Sequence, residues 1–214
     1  MDEDLAIINE STRKEKLKIF LVNYKKRIYF FVGLILLLIF TTFLYLENIK
    51  KRKNEIADKF VKASVNFDIQ RKTYYIDQFN QIINTHDSTY APLALFFLVD
   101  NKILKSNEKI NDLFDIVINK VDLEKEMKNL VIYKKALINA DFISENEIIK
   151  ILKPLVNSES FWKPHALLLL GDYFLFKGEK QKAKDFYIQI TSIKNISKNI
   201  LNQTQQRIRK NYVE

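Results

Sequence analysis

The apolar and polar positions of this chain fall into two regimes. From Ile28 to Leu46 (IYFFVGLILLLIFTTFLYL) nineteen residues pass without a charge, and fourteen of them are Leu, Ile, Phe or Val. At about 1.5 Å per residue a helix of that length spans roughly 28 Å, close to the hydrocarbon thickness of a bilayer. Its aliphatic and aromatic side chains favour insertion by several kcal/mol in sum, on the order of half a kcal/mol each. The other continuous apolar runs, Ala91–Val99 and Ala166–Leu170, are too short to span.

Elsewhere the pattern has a helical period. Leu17, Phe20, Leu21, Tyr24 and Ile28 form one stripe ahead of the apolar run. This predicts either a short amphipathic helix on the membrane surface that bends into the span, or a span helix that begins early. After the run, Ile56, Phe60, Ala63 and Phe67 make the next stripe, with a break expected near Gln70–Thr73 before Tyr75, Ile76, Phe79 and Ile82–Ile83. Helical hairpins follow. The first starts at Tyr90, turns at Lys105–Asn107 and returns through Ile110–Ile118. The second starts near Glu124, turns at Asp141–Ser144 and returns through Glu147–Leu155. The third starts at Phe161, turns at Lys177–Glu179 and returns through Ala183–Ile193, and a last helix covers Lys198–Tyr212. The hairpins begin about 35 residues apart, a period that marks an α-solenoid of stacked helix pairs. The expected fold class is all-α, with an N-terminal transmembrane helix ahead of the solenoid.

The uncharged run admits three readings. A cleaved signal peptide has a short basic start, an apolar core of roughly 7–15 residues and a small-residue exit. Here 27 residues precede the run, and it leaves through Leu44-Tyr45-Leu46-Glu47. A core helix of a soluble domain is rarely apolar on every side for this length. We therefore read an uncleaved anchor, with Ile28, Phe31, Leu36, Phe40 and Leu46 among its lipid-facing residues and Tyr29 and Tyr45 at headgroup level. Seven Lys or Arg lie in the fifteen residues before it and five in the fifteen after. That bias favours a cytoplasmic N-terminus. Lys25, Lys26 and Arg27 on one side, and Lys50, Lys51 and Arg52 on the other, form a basic collar at the membrane surfaces. The predicted division is a cytoplasmic segment 1–27, the anchor 28–46 and a helical domain 47–214.

Composition narrows the rest. With three Gly, three Pro and no Cys, tight-turned sheets, disulfides and thiolate metal sites are excluded. The net charge of +9 arises from 35 basic against 26 acidic residues. It reads as spread over solvated helix faces, with no clustered nucleic-acid surface. His86 and His165 stand in different repeats without acidic companions at ligand spacing. Glu145 and Glu147, and Asp112 and Asp115, read as caps and solvated faces. No catalytic motif or phosphate-cradling loop is present, so no enzyme activity, cofactor, metal or small-molecule substrate is expected.

The third hairpin is the sharpest. Leu167, Leu170, Gly171, Phe174, Gly178, Ala183 and Tyr187 follow a spacing that resembles the tetratricopeptide repeat. Gly171 and Ala183 are small where the two helices should cross. Leu167, Leu170, Phe174, Tyr187 and Ile190 should fill the seam, Gly178 should end the first helix, and Pro164 suits its first turn. The other pairs read as degenerate, with no small residue at the expected crossings. Tyr90, Tyr133, Trp162 and Tyr173 are aromatic candidates to face a partner, although core packing is the expectation for each.

The order of parts is also similar to a known family. A segment with Glu15-Lys16-Leu17, Phe20 and Tyr24-Lys25-Lys26 precedes one span. Thr89-Tyr90-Ala91 heads one repeat, Trp162 precedes the Ala166–Ile190 repeat, and a short helix ends the chain. This resembles the YfgM family of ancillary SecYEG translocon subunits over almost the whole length. The resemblance implies a bacterial inner-membrane protein whose periplasmic repeats contact SecYEG-type subunits, periplasmic chaperones and exported clients. It assigns no functional residue. Two other readings stay open: an envelope-assembly or cell-division scaffold independent of secretion, and a lipid-surface binder using Lys50–Lys53 and the N-terminal helix.

Overall fold

The computed structural model describes residues 2–212; the side chains of residues 2–14, Lys16, Leu17, Ile19 and Ile28 lie outside the described set, and with them parts of the expected stripe and anchor. Two compact units divide between Glu55 and Ile56. Through the first runs helix α1 (Asp2–Val65), uninterrupted across the Leu17–Ile28 stripe and the apolar run. The segment before the run is therefore continuous with the span helix. Within α1, Tyr29–Val65 contains a stretch long and apolar enough to cross a membrane, and none of that stretch is buried. This exposure removes the reading of a soluble core helix. Phe31, Leu36, Phe40 and Leu46 are each more than half exposed. The two threonine hydroxyls in the run are satisfied within the helix itself: Thr41 donates to Leu38 O at 2.9 Å, and Thr42 to Leu38 O and Ile39 O at 3.0 and 2.8 Å. Such back-bonding is what an apolar medium requires of a polar side chain.

The second unit begins with the last turns of α1. Phe60 meets Phe79 and Tyr90 edge-on or tilted, with ring centroids 6.2 and 5.9 Å apart. The chain breaks after Val65, earlier than the periodicity indicates. The carbonyl of Asn66 accepts the Tyr75 hydroxyl, and Asp68 accepts from the Gln70 amide at 2.9 Å. A 3-10 turn (Ile69–Arg71) then leads into α2 (Lys72–Asn84). Seven more helices follow: α3 (Tyr90–Asp100), α4 (Asn107–Lys120), α5 (Lys125–Asn139), α6 (Glu145–Val156), α7 (Lys163–Phe176), α8 (Lys180–Thr191) and α9 (Lys198–Tyr212). Local chemistry explains their starts. Asp87 accepts the Thr89 and Tyr90 amides, Ser106 caps α4, and Ser144 with Glu147 forms a capping box on α6. The Ser144 hydrogen bonds also hold the exposed Glu147 carboxyl below its usual range.

Pairing departs from expectation in the first hairpin. α3 packs most closely on α2 and less on α4, while α4 touches α2, α3 and α5. The physical reason is that α2 buries Phe79, Ile82 and Ile83 on the same core as Ala91, Leu95 and Leu98, which leaves α3 committed to α2. The later pairs α5–α6 and α7–α8 are as expected. A second correction concerns small residues. Ala136, one repeat length before Gly171, is fully buried in the core with Ile148 and Leu152, so the α5–α6 crossing has a small residue after all.

The α7–α8 pair is the most closely packed. Leu167, Ala183 and Tyr187 are fully buried, Leu170 and Phe174 nearly so. Gly171 lies flat against the Tyr187 ring, where an added Cβ would come within 2.4 Å of Cε1. Gly178 ends α7 in the left-handed region at φ +83°. Replacing Gly171 by Ala should cost about 1–3 kcal/mol, the usual penalty of overpacking a full core. Gly178→Ala should cost about 1 kcal/mol, since its space is open and only the backbone objects. Urea unfolding of the full chain in detergent checks both the size and the order of these losses.

Candidate protein-interaction face

Side chains one repeat apart meet across the stack. Lys134 Nζ binds Asp100 at 2.7 Å, Ser160 donates to Glu126 at 2.8 Å, and Arg207 forks onto Asp172, with Nη2 2.8 Å from Oδ2. These links run between α3, α5, α7 and α9, and helices α5, α7 and α9 pack side by side. The even-numbered helices α4, α6 and α8 stand further apart. A groove of about 590 Å³ opens between α4 and α6, lined by Asn111, Asp115, Lys150 and Pro154. Lys182 reaches Glu145 from α8 to α6 at 2.6 Å.

The two sides differ in chemistry. Outward residues of the even helices include Asp112 and Asp115, Glu147 and Lys150, Lys182 and Asp185, all exposed. The odd helices bury one apolar side in the core and carry beside it apolar side chains that are part-buried at the core margin or exposed. On α5 that side carries Met127, Leu130, Tyr133 and Leu137, the last 49% exposed. On α7 it carries Trp162, His165, Leu169 and Phe176, and Phe176 is 80% exposed. On α3 it carries Leu93 and Phe96. The spacings i, i+3, i+6, i+10 on α5 and i, i+3, i+7, i+14 on α7 keep each set toward one side of its helix.

An aromatic cluster joins two of these columns. Tyr133 lies 5.3 Å from Trp162 and 6.0 Å from His165, centroid to centroid, and Phe161 lies 5.3 Å from His165. Lys134 sits 4.7 Å from the Phe96 ring centroid and so covers the α3 column while paired with Asp100. At the other edge Asp172 also accepts the Tyr187 hydroxyl at 2.7 Å, so one carboxylate ties α7, α8 and α9. Burial, then the bond to Asp172, pushes the Tyr187 hydroxyl pKa far up, and the same carboxylate raises that of Arg207.

Of the four aromatic candidates, Tyr133 and Trp162 lie together on this face. Tyr90 is half-buried against Phe60, and Tyr173 is buried with its hydroxyl on the carbonyl of Ile143 at 3.0 Å. The basic residues Lys25, Lys26, Arg27, Lys50, Lys51 and Arg52 are exposed on α1, with Arg27 over Tyr24 and Lys25 over Tyr29. Leu130, Leu137, Leu169 and Phe176 were missed by sequence reasoning. For Leu169 and Phe176 a signal was available, since α7 holds more apolar residues than one buried side can take, whereas α5, with its lysines, gave none for Leu130 and Leu137. No family model, curated protein or solved structure matches this chain.

His165 offers a titratable reporter of the face. Burial among the rings lowers its pKa from the usual 6.5, opposed by the bond of Nδ1 to Phe161 O. The folded state thus holds fewer protons than the unfolded chain below that value, and stability should fall as pH drops from about 6.5 through the folded pKa. Thermal melts of the full chain and of His165→Phe, compared from pH 7.5 to 5, should show this component in the native chain and its loss in the variant.

Proposed function

We propose that this chain is a membrane-anchored protein-interaction scaffold of the bacterial inner membrane, ancillary to a SecYEG-type translocon. In this reading α1 holds the protein in the bilayer with its N-terminus cytoplasmic and the repeats periplasmic. The repeats link emerging exported proteins to periplasmic chaperones. The observation that carries the scaffold reading is the exposure of Met127 and Leu137 on α5 and of Phe161 and Phe176 at the two ends of α7, apolar side chains that leave water only when a partner covers them. The translocon assignment draws on the order of parts, the YfgM resemblance and the basic excess ahead of the span. Binding without catalysis is the economical reading of a face built from aromatic and aliphatic side chains. A tether supplies effective concentration, so weak contacts suffice for partners in the same membrane.

Photo-crosslinkers placed at Leu137 and Phe176 in native membranes should capture SecY-type subunits or periplasmic chaperones. Capture of cell-wall synthesis or division proteins in their place would reassign the scaffold to envelope assembly. A C-terminal alkaline phosphatase fusion should be active and a fluorescent protein fused there by the same export route dark; the reverse pair would invert the topology.

A further inference from the structure

Charge is unevenly placed along the stack. Residues 56–176 hold fifteen Lys or Arg against sixteen Asp or Glu, whereas residues 177–210 hold nine against two. Between Asp185 and Glu214 there is no acidic residue at all. The outer side of α9 carries Lys198, Asn202, Gln205, Gln206, Arg209 and Lys210, all exposed and all able to donate hydrogen bonds. Its apolar side is taken up within the fold, where Ile200 and Ile208 pack on the core formed by α7 and α8. Helix α9 therefore keeps no apolar side to insert into a bilayer, and its outer charge suits an acidic protein segment better than a lipid surface.

At the C-terminal end of that side a groove of about 480 Å³ opens between α7 and α9. Its two walls differ. The α7 wall is apolar, made by Leu175 and the exposed Phe176, and the α9 wall presents Gln206, Lys210 and Asn211. Between them Asp172 is already saturated, by a fork from Arg207 and by the Tyr187 hydroxyl at 2.7 Å. That pair is neutral, so Lys210 sets the sign of the groove, with Arg209 beside it in the last turn of α9. The helix C-terminus contributes about half a negative charge, which two full cations exceed. Walls of unlike chemistry also fix the shape of an occupant, because an extended chain sends alternate side chains to opposite sides. Resting on the scaffold reading, we propose that the α7–α9 groove binds an extended segment of a partner protein in which acidic residues alternate with apolar ones. The apolar side chains lie on Leu175 and Phe176, and the carboxylates meet Lys210 and the amide of Gln206.

The test follows the fluorescence anisotropy of labelled peptides of about eight residues, roughly 26 Å when extended. They are titrated with the full chain in phosphatidylcholine nanodiscs. One peptide alternates Glu with Phe, a second Lys with Phe, and a third Glu with Ser. The Glu–Phe peptide should bind about tenfold tighter than either of the others. Lys210→Glu should weaken it about tenfold and favour the Lys–Phe peptide, and Phe176→Ser should reduce it to the level of the Glu–Ser peptide. Both positions are exposed, and thermal melts check that both variants fold. Lys198→Glu makes the same change of charge about 18 Å away along α9, beyond the Debye length of about 8 Å at physiological salt, and should leave the affinity unaltered. An equal loss in Lys198→Glu would show a diffuse field in place of a site, and full affinity in Phe176→Ser would remove the apolar wall; either overturns the proposal. Displacement of the peptide by glycerol phosphate at equal concentration would assign the groove to lipid headgroups and also overturn it. Absence of peptide binding, with partners still crosslinked at Leu137 in native membranes, would end this proposal and leave the scaffold reading standing. Crosslinks that capture no protein would fell the scaffold reading itself, a result separate from peptide binding by the purified chain.

Discussion

A helix that is apolar on every side must be covered on every side, and this constraint organises the chain twice. In α1 the Ile28–Leu46 stretch has no protein cover among the described residues, and its hydroxyls bond back to the helix. The stretch is long and apolar enough for a lipid phase to supply that cover. In α7 the apolar surface is mostly taken up by the repeat core, with Leu169 and Trp162 packed at its margin, and Phe176 is left exposed at the helix end. The even helices, which meet water on their outer sides, carry charge there.

Stacking rather than any single repeat holds the second unit together. Four of its polar links join residues 34 to 37 apart: Lys134–Asp100, Ser160–Glu126, Arg207–Asp172 and Lys182–Glu145. Most are half-exposed and individually worth little. Their value is registry: each fixes which turn of one repeat meets which turn of the next. Asp172 does this for three helices, and it follows Gly171, the residue that lets the Tyr187 ring approach α7 closely enough for its hydroxyl to reach that carboxylate. Tight steric approach and polar registry are thus one device at the end of the stack.

Helix positions were legible because apolar period and caps agree: Ser144 with Glu147, Asp87 before Tyr90, Pro164 in the first turn of α7. What the one-dimensional pattern could not settle was partnership. α2 and α3 share a core that no repeat spacing announces, and Ala136 was overlooked because alanine is unremarkable in a helix until a crossing is known. The face was hidden for a related reason. Leu137 and Phe176 look like core residues in a string, and only the packed helices show that they are left exposed. The positive charge, read as dispersed, also turns out to be concentrated toward α8 and α9 once the repeats are laid in order.

These features bear on how such a face can remain open without aggregation. Exposed apolar strips of this kind invite self-association in a freely diffusing protein. Here the strip is flanked by ion pairs, broken by His165, and bordered by a basic end that repels a second copy of itself. On the scaffold reading proposed above, a tether would make a modest affinity at such a strip sufficient.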